Sequence, residues 1–282
     1  MAFKDTLLTF TTYPDPTPAT VIDDAIGVAE ALGTQLSAIA CAVQRRAPGS
    51  FLADMVIDFP AMAAAEFRKS RASADDLLAA FKTEAQRHGI FQDAIVKECG
   101  PAEVPDTLVA AARLRDLTLV PVPVGDMIDQ WFAEAIIFGS GRPTMILPHE
   151  HKRRGAVSLD VAIVAWDFSR AATRAIADAM PMLQRAKRVH VLTVGNEKAL
   201  DPEQSGSELA AYLARHGIET VVDHVDAAGR KIGAVLEAQI DKSQADVLVM
   251  GAFGHSRLRQ FVLGGATRSM LMTPPVPVFL SH

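Results

Sequence analysis

The chain is expected to fold as an α/β protein built from two tandem open parallel sheets of five strands each. Three observations predict this. Apolar, β-branched runs alternate with helix-like stretches of about 10 or more residues, the pattern of βαβ units. The pattern occurs twice: KDTLLTFTTYPDPTPATVIDDAI (4–26) has a counterpart in LDVAIVAWDFSRAATRAIADAM (159–180), and RDLTLVPVPVGD (115–126) in ADVLVMGAFGHS (245–256). The composition is aliphatic, with 49% hydrophobic but only 6% aromatic residues, which suits helices packed on a sheet.

In the second half, VSLDVAIVAW reads as a strand and SRAATRAIADAMPMLQRA as a helix with Ser169 as its N-cap. KRVHVLTV is a strand, EQSGSELAAYLARHG a helix ending on Gly217, and IETVVDHV a strand. GRKIGAVLEAQIDKSQ gives a helix, ADVLVMG a strand, RLRQFVLGGATRSML a last helix and PVPVFLS a closing strand. Right-handed crossovers then place helices on both faces of the sheet. The first half follows the same plan and closes on PTMIL. Its one departure is QRRAPGSFLADMVIDFPAMAAAEF (44–67), an insertion that interrupts the second strand and helix and whose apolar residues cover the domain or meet a partner. HEHKRRG (149–155) is polar and charged, so the boundary is set near residue 152, dividing 1–152 from 153–282.

A net charge of -5 gives no argument for nucleic acid. Two cysteines, Cys41 and Cys99, make no disulfide framework, and a reducing cytoplasm is the expected setting. No run approaches the roughly 18 uninterrupted apolar residues of a membrane span, and MAFKDTLLTFTTYPDP lacks the layout of a signal peptide.

The chemistry concentrates in VLVMGAFGHSRLRQFVLGGATRSML (247–271). In an open parallel sheet, ligands bind beyond the carboxyl ends of the strands where the strand order reverses. Gly251 ends a buried strand, Gly254 follows, and Gly264 and Gly265 sit near the start of the last helix, whose N-terminus favours anions. The spacing G-x2-G-x9-G-G fits a phosphate held by main-chain donors, and it is neither a P-loop nor a dinucleotide fingerprint. Spacing alone leaves a second reading open, in which the glycines serve tight turns and close helix packing.

This stretch, with PVPVFLS after it and AWDFS (165–169) at the end of the half's first strand, resembles the ATP-binding signature of the universal stress protein family. The resemblance covers the second half and, more weakly, the first. It implies the Rossmann-like, adenine nucleotide alpha hydrolase-like fold in tandem form, the halves packed as a pseudo-dimer through their closing strands. It also implies an adenine nucleotide, ATP with or without magnesium. Ala165 and Asp167 would lie beside the adenosine, Val194 would offer backbone hydrogen bonds to adenine, and Met250 and Gly251 would line the ribose. Gly254, His255, Gly264, Gly265 and Ala266 would surround the phosphates, with the Thr267 hydroxyl nearby. Gly265 departs from the signature, which has Ser or Thr there.

In register with this, the first half has Pro121 for Gly251, Val124 for Gly254, Glu134 opposite Gly264 and Thr12 opposite Asp167. Proline removes an N–H and a carboxylate repels phosphate, so this half is read as a nucleotide-free partner. His149 and His151 form a solvated HxH pair or a metal site. His224, Asp226 and His255 approach a phosphate or its metal, or are simply polar residues where a strand ends. Arg257, Arg259 and Arg268 supply local positive charge near the loop or form the solvated face of an amphipathic helix, and His190 is a satisfied core or edge histidine. No metal ligand set and no catalytic residue is assigned. The expected function is a stress-response nucleotide sensor or regulator acting on a protein partner, as an intramolecular pseudo-dimer that can pair further as a homodimer. Two alternatives stand beside it: a slow ATPase or nucleotidyl-transfer enzyme, and a nucleotide-free interaction protein.

Overall fold

A computed structural model describes residues 2–44, 59–123, 127–149, 157–195, 202–252 and 265–282. Its ten strands form one sheet in the order β3-β2-β1-β4-β5-β10-β9-β6-β7-β8. The first half contributes β1 (Asp5–Phe10), β2 (Gln35–Val43), β3 (Phe91–Cys99), β4 (Leu117–Val122) and β5 (Thr144–Pro148). The second contributes β6 (Val161–Ala165), β7 (Arg188–Gly195), β8 (Thr220–Asp226), β9 (Val247–Gly251) and β10 (Val278–Ser281). All pairings within a half are parallel, so each half is a five-stranded doubly wound sheet, as expected. Strands β4, β5 and β10 are buried along their whole length, the mark of strands covered on both faces. The sheet's two edges, β3 and β8, expose several positions along their length, charged ones such as Lys97 and Glu98 among them, which discourage edge pairing.

Among the described residues eight α-helices cover the two faces. In the first half these are α1 (Val21–Leu32), α2 (Phe59–Arg87), α3 (Val104–Ala112) and α4 (Met127–Gly139). In the second they are α5 (Arg170–Leu183), α6 (Pro202–Arg215), α7 (Ile232–Ser243) and α8 (Gly265–Met272). Residues 59–67 correct one expectation. They are the first turns of the 29-residue α2 and so part of the regular plan, not an inserted loop. The rest of the expected insertion, 45–58, and the expected boundary at 152 lie outside the described residues.

The halves meet through the antiparallel pair β5–β10, where Phe279 faces Met145, Val278 faces Ile146 and Leu280 faces Thr144. Met145 pairs with Leu119 in β4 as Phe279 pairs with Val249 in β9. The Met145–Phe279 pair therefore lies on a pseudo-two-fold axis, and its neighbours exchange places across it, as in an isologous interface. Phe279 is fully buried, with the Phe3 ring 6.4 Å away. One hydrogen bond and one longer-range charge interaction link the halves. Arg185, just past the end of α5, donates through Nη1 to the Ala31 carbonyl at 3.1 Å, closing the end of α1. Glu134 of α4 is pushed above the ordinary carboxyl pKa by burial, against the pull of Arg268 in α8. Arg268, expected to serve the glycine loop, thus lies within electrostatic reach of the other half.

Matching aspartates fix the correspondence between the halves. Asp116 Oδ2 accepts the Asp5 N–H at 3.2 Å, and Asp246 Oδ2 accepts the Val161 N–H at 2.9 Å. Asp5 therefore corresponds to Val161, which places Thr11 opposite Asp167 and Thr12 opposite Phe168. The expected match of Thr12 with Asp167 is one residue out of step. Since Asp5 pairs with Gln35 and Val161 with Arg188, Cys41 corresponds to Val194. Among the described residues no helix is long and apolar enough to cross a membrane.

Candidate functional site

Strand β6 lies between β9 and β7, so the strand order of the second half reverses at its carboxyl end. Val164 is level with Val249, and Ala165 with Leu192. This register gathers four of the expected residues: Ala165 leaves β6 beside Met250 and Gly251, and Val194 extends β7 beyond the end of β6. Helix α8 follows β9 and returns to β10, so its first turn, Gly265, Ala266 and Thr267, starts from the same edge. Gly254, His255 and Gly264 lie outside the described residues, as do Arg257 and Arg259.

The turn after β6 is tightly specified. Asp167 Oδ1 accepts the Ser169 N–H at 3.0 Å, and Ser169 Oγ accepts the Ala172 N–H at 3.1 Å, capping α5. Between them Phe168 takes a left-handed φ of 58° and is 52% exposed. On its other side the Trp166 indole donates to Ser205 Oγ at 2.8 Å, which ties the turn to α6.

The glycines divide between the two readings that spacing left open. A Cβ on Gly251 would lie 2.5 Å from the Ala172 nitrogen and 2.6 Å from the Ala171 carbonyl carbon, so this glycine lets α5 pack against the end of β9. A Cβ on Gly265 would meet nothing within 4 Å, and the residue is exposed at the start of α8. The Ser or Thr of the family signature would therefore fit at 265 without strain. Thr267, in the same turn, is buried, and Met250 is buried under the edge.

At the corresponding edge of the first half, hydroxyls and a carboxylate occupy the space. Thr12 Oγ1 donates to the carbonyl of Cys41, the counterpart of Val194, at 2.5 Å. Ser70 of α2 accepts the Val43 N–H at 2.8 Å and lies 2.7 Å from Thr12 Oγ1. With the Thr12 proton directed at Cys41, Ser70 is the donor to Thr12, and the chain of bonds is complete. Thr11, opposite Asp167, donates to the buried Asp129 carboxylate of α4 at 2.5 Å. The Cys41 carbonyl, the counterpart of Val194, is thus taken, and the buried Asp129 side chain stands nearby. Pro121 sits in β4 where β9 has Gly251. The Pro121 substitution was legible in sequence; Ser70 and Asp129 were not, since nothing local marks either residue.

The remaining candidates separate. His224 Nδ1 lies 3.2 Å from Thr193 Oγ1, and Asp226 Oδ1 accepts the Ala228 N–H at 2.8 Å, closing the turn after β8. His190 is only half satisfied: Nδ1 lies 2.7 Å from Asp223 Oδ2, whereas Nε2 is buried with no hydrogen-bond partner. His151 lies outside the described residues.

Two doubly wound sheets joined at their closing strands, with side chains filling the carboxyl edge of the first half, define a tandem α/β protein of the Rossmann-like class. Comparison with known proteins makes the class specific. Residues 160–282 match the universal stress protein family, so the second half is a domain of that family. A universal stress protein from Archaeoglobus fulgidus DSM 4304 superposes with a TM-score of 0.71 at 16% identity, covering 98% of this chain and 95% of that one. A Pseudomonas aeruginosa UCBPP-PA14 protein described as a universal stress protein gives 0.60 at 12% identity, covering 99% and 93%. At these identities the likeness establishes the fold, and it runs through both halves. No curated protein matches the chain in sequence.

Proposed function

We propose that the chain is a stress-response protein whose second half binds one adenine nucleotide, ATP with or without magnesium, at the carboxyl edge of β6, β7 and β9, and that it acts as a nucleotide sensor or regulator. The observation that carries this reading is the asymmetry of the two edges. One fold, repeated, has its edge filled by Thr12, Ser70, Thr11 and Asp129 in the first half. In the second, the edge ends in the Asp167 turn and the exposed first residue of α8. Asp167 lies where it can orient the nucleoside, Val194 offers main-chain groups to the base, and the N-terminus of α8 attracts phosphate. The cytoplasm is the setting this role implies.

Titration calorimetry of the full chain with MgATP tests the reading through two variants of opposite sign. Asp167→Ala removes a charged hydrogen-bonding group and weakens binding about tenfold. Gly265→Ser adds a phosphate hydrogen bond in open space and tightens binding by a similar factor. Saturation that neither variant changes would remove the site from this edge.

A further inference from the structure

We infer that Phe168 is the residue that selects the base, its ring forming a platform on which adenine stacks. The inference rests on the nucleotide reading above and assigns a specificity-determining side chain within that site.

Three observations carry it. A bulky aromatic residue at φ 58° is strained backbone, which persists only where the surroundings impose it and which clusters at ligand clamps. Here the surroundings do impose it: Asp167 holds the Ser169 N–H, Ser169 caps α5, and Trp166 is fixed to Ser205. The ring so held is directed outward, 52% exposed, with one edge against Trp166 at 5.5 Å and 69°. An apolar ring held in water is unfavourable until something covers it. Finally, the corresponding residue of the filled edge behaves oppositely. Thr12 is 3% exposed, and its hydroxyl closes the Cys41 carbonyl that corresponds to Val194. The same backbone position plugs one edge and, as Phe168, stands clear of the other.

Aromatic–base stacking is sequence-tolerant and strong enough to shift affinity by about one order of magnitude. The test compares wild type, Phe168→Ala, Phe168→Tyr and Phe168→Gly with two probes, MgATP and magnesium tripolyphosphate, which lacks a base. Wild type is expected to bind MgATP more tightly than tripolyphosphate. Phe168→Ala should weaken MgATP about tenfold and leave tripolyphosphate unchanged, and Phe168→Tyr should restore MgATP binding. Phe168→Gly should lose MgATP affinity like the alanine variant while its thermal midpoint rises by about 2–4 °C, because glycine relieves the left-handed strain. A merely structural Phe168 would move stability and both probes together. Equal MgATP affinity in wild type and Phe168→Ala overturns the inference and leaves the nucleotide reading standing. Wild type binding tripolyphosphate as tightly as MgATP overturns base stacking and leaves an anion site. Binding of neither probe overturns both readings.

Discussion

Phe279→Ala is expected to lower the unfolding free energy by about 3–5 kcal/mol, the range for removing a fully buried phenylalanine. Phe279 is fully buried in β10, on the pseudo-two-fold axis opposite Met145, with the Phe3 ring against it. A void there removes contacts from both halves at once, because each contributes one strand to the antiparallel ladder. The thermal midpoint should fall on the order of 10 °C, followed by far-ultraviolet circular dichroism. Met145→Ala, at the reciprocal position, should destabilise by about 2–5 kcal/mol, and the double variant should cost less than the sum because the two side chains share one cavity. Additive losses would mean that the two side chains do not pack as a unit.

Gly251→Ala is the second large effect, expected at about 2–3 kcal/mol of destabilisation. The added methyl group would press on backbone atoms of Ala171 and Ala172 at 2.5–2.6 Å, and backbone yields far less readily than a side-chain tip. Relief requires α5 to move away from β9, which also displaces the Ser169 cap and the Asp167 turn. Weaker nucleotide binding should accompany the lower thermal midpoint. Gly265→Ala is the internal control: the same chemical change, made where nothing lies within 4 Å, should leave the midpoint within about 2 °C of wild type. Equal effects at the two positions would contradict the division of the glycines into one packing residue and one open residue.

The alternation of apolar runs and the tandem repeat were legible in the sequence because buried parallel strands leave long aliphatic signatures, whereas the pairing through closing strands was implied only by the family resemblance. The carboxyl edge of β6 was legible too, since Gly251 and AWDFS mark strand ends. FPAMAAAEF (59–67) is apolar and follows a break, which suggests an insertion, yet Pro60 near the start of α2 is a helix-entry signal. The one-residue offset at Thr12 arose because TFTTYPDP and AWDFS were aligned by their apolar runs. The correspondence is set instead by Asp116 and Asp246, more than 80 residues downstream of the amides they hold. Ser70 and Asp129 reach Thr12 and Thr11 across 58 and 118 residues of sequence, a separation at which periodicity carries no information. Whether a glycine serves a ligand or a neighbouring helix depends on what its missing Cβ would touch, and only the packed structure supplies that.

The central claim is that one of two equivalent edges takes a nucleotide and the other is filled by the protein's own side chains. The most direct measurement is the stoichiometry of MgATP bound to the intact chain at saturation. One nucleotide per chain, lost on disruption of the Asp167 turn and unaffected by Ser70→Ala, is the predicted result. Two per chain, or one that depends on Ser70 and ignores Asp167, would contradict it.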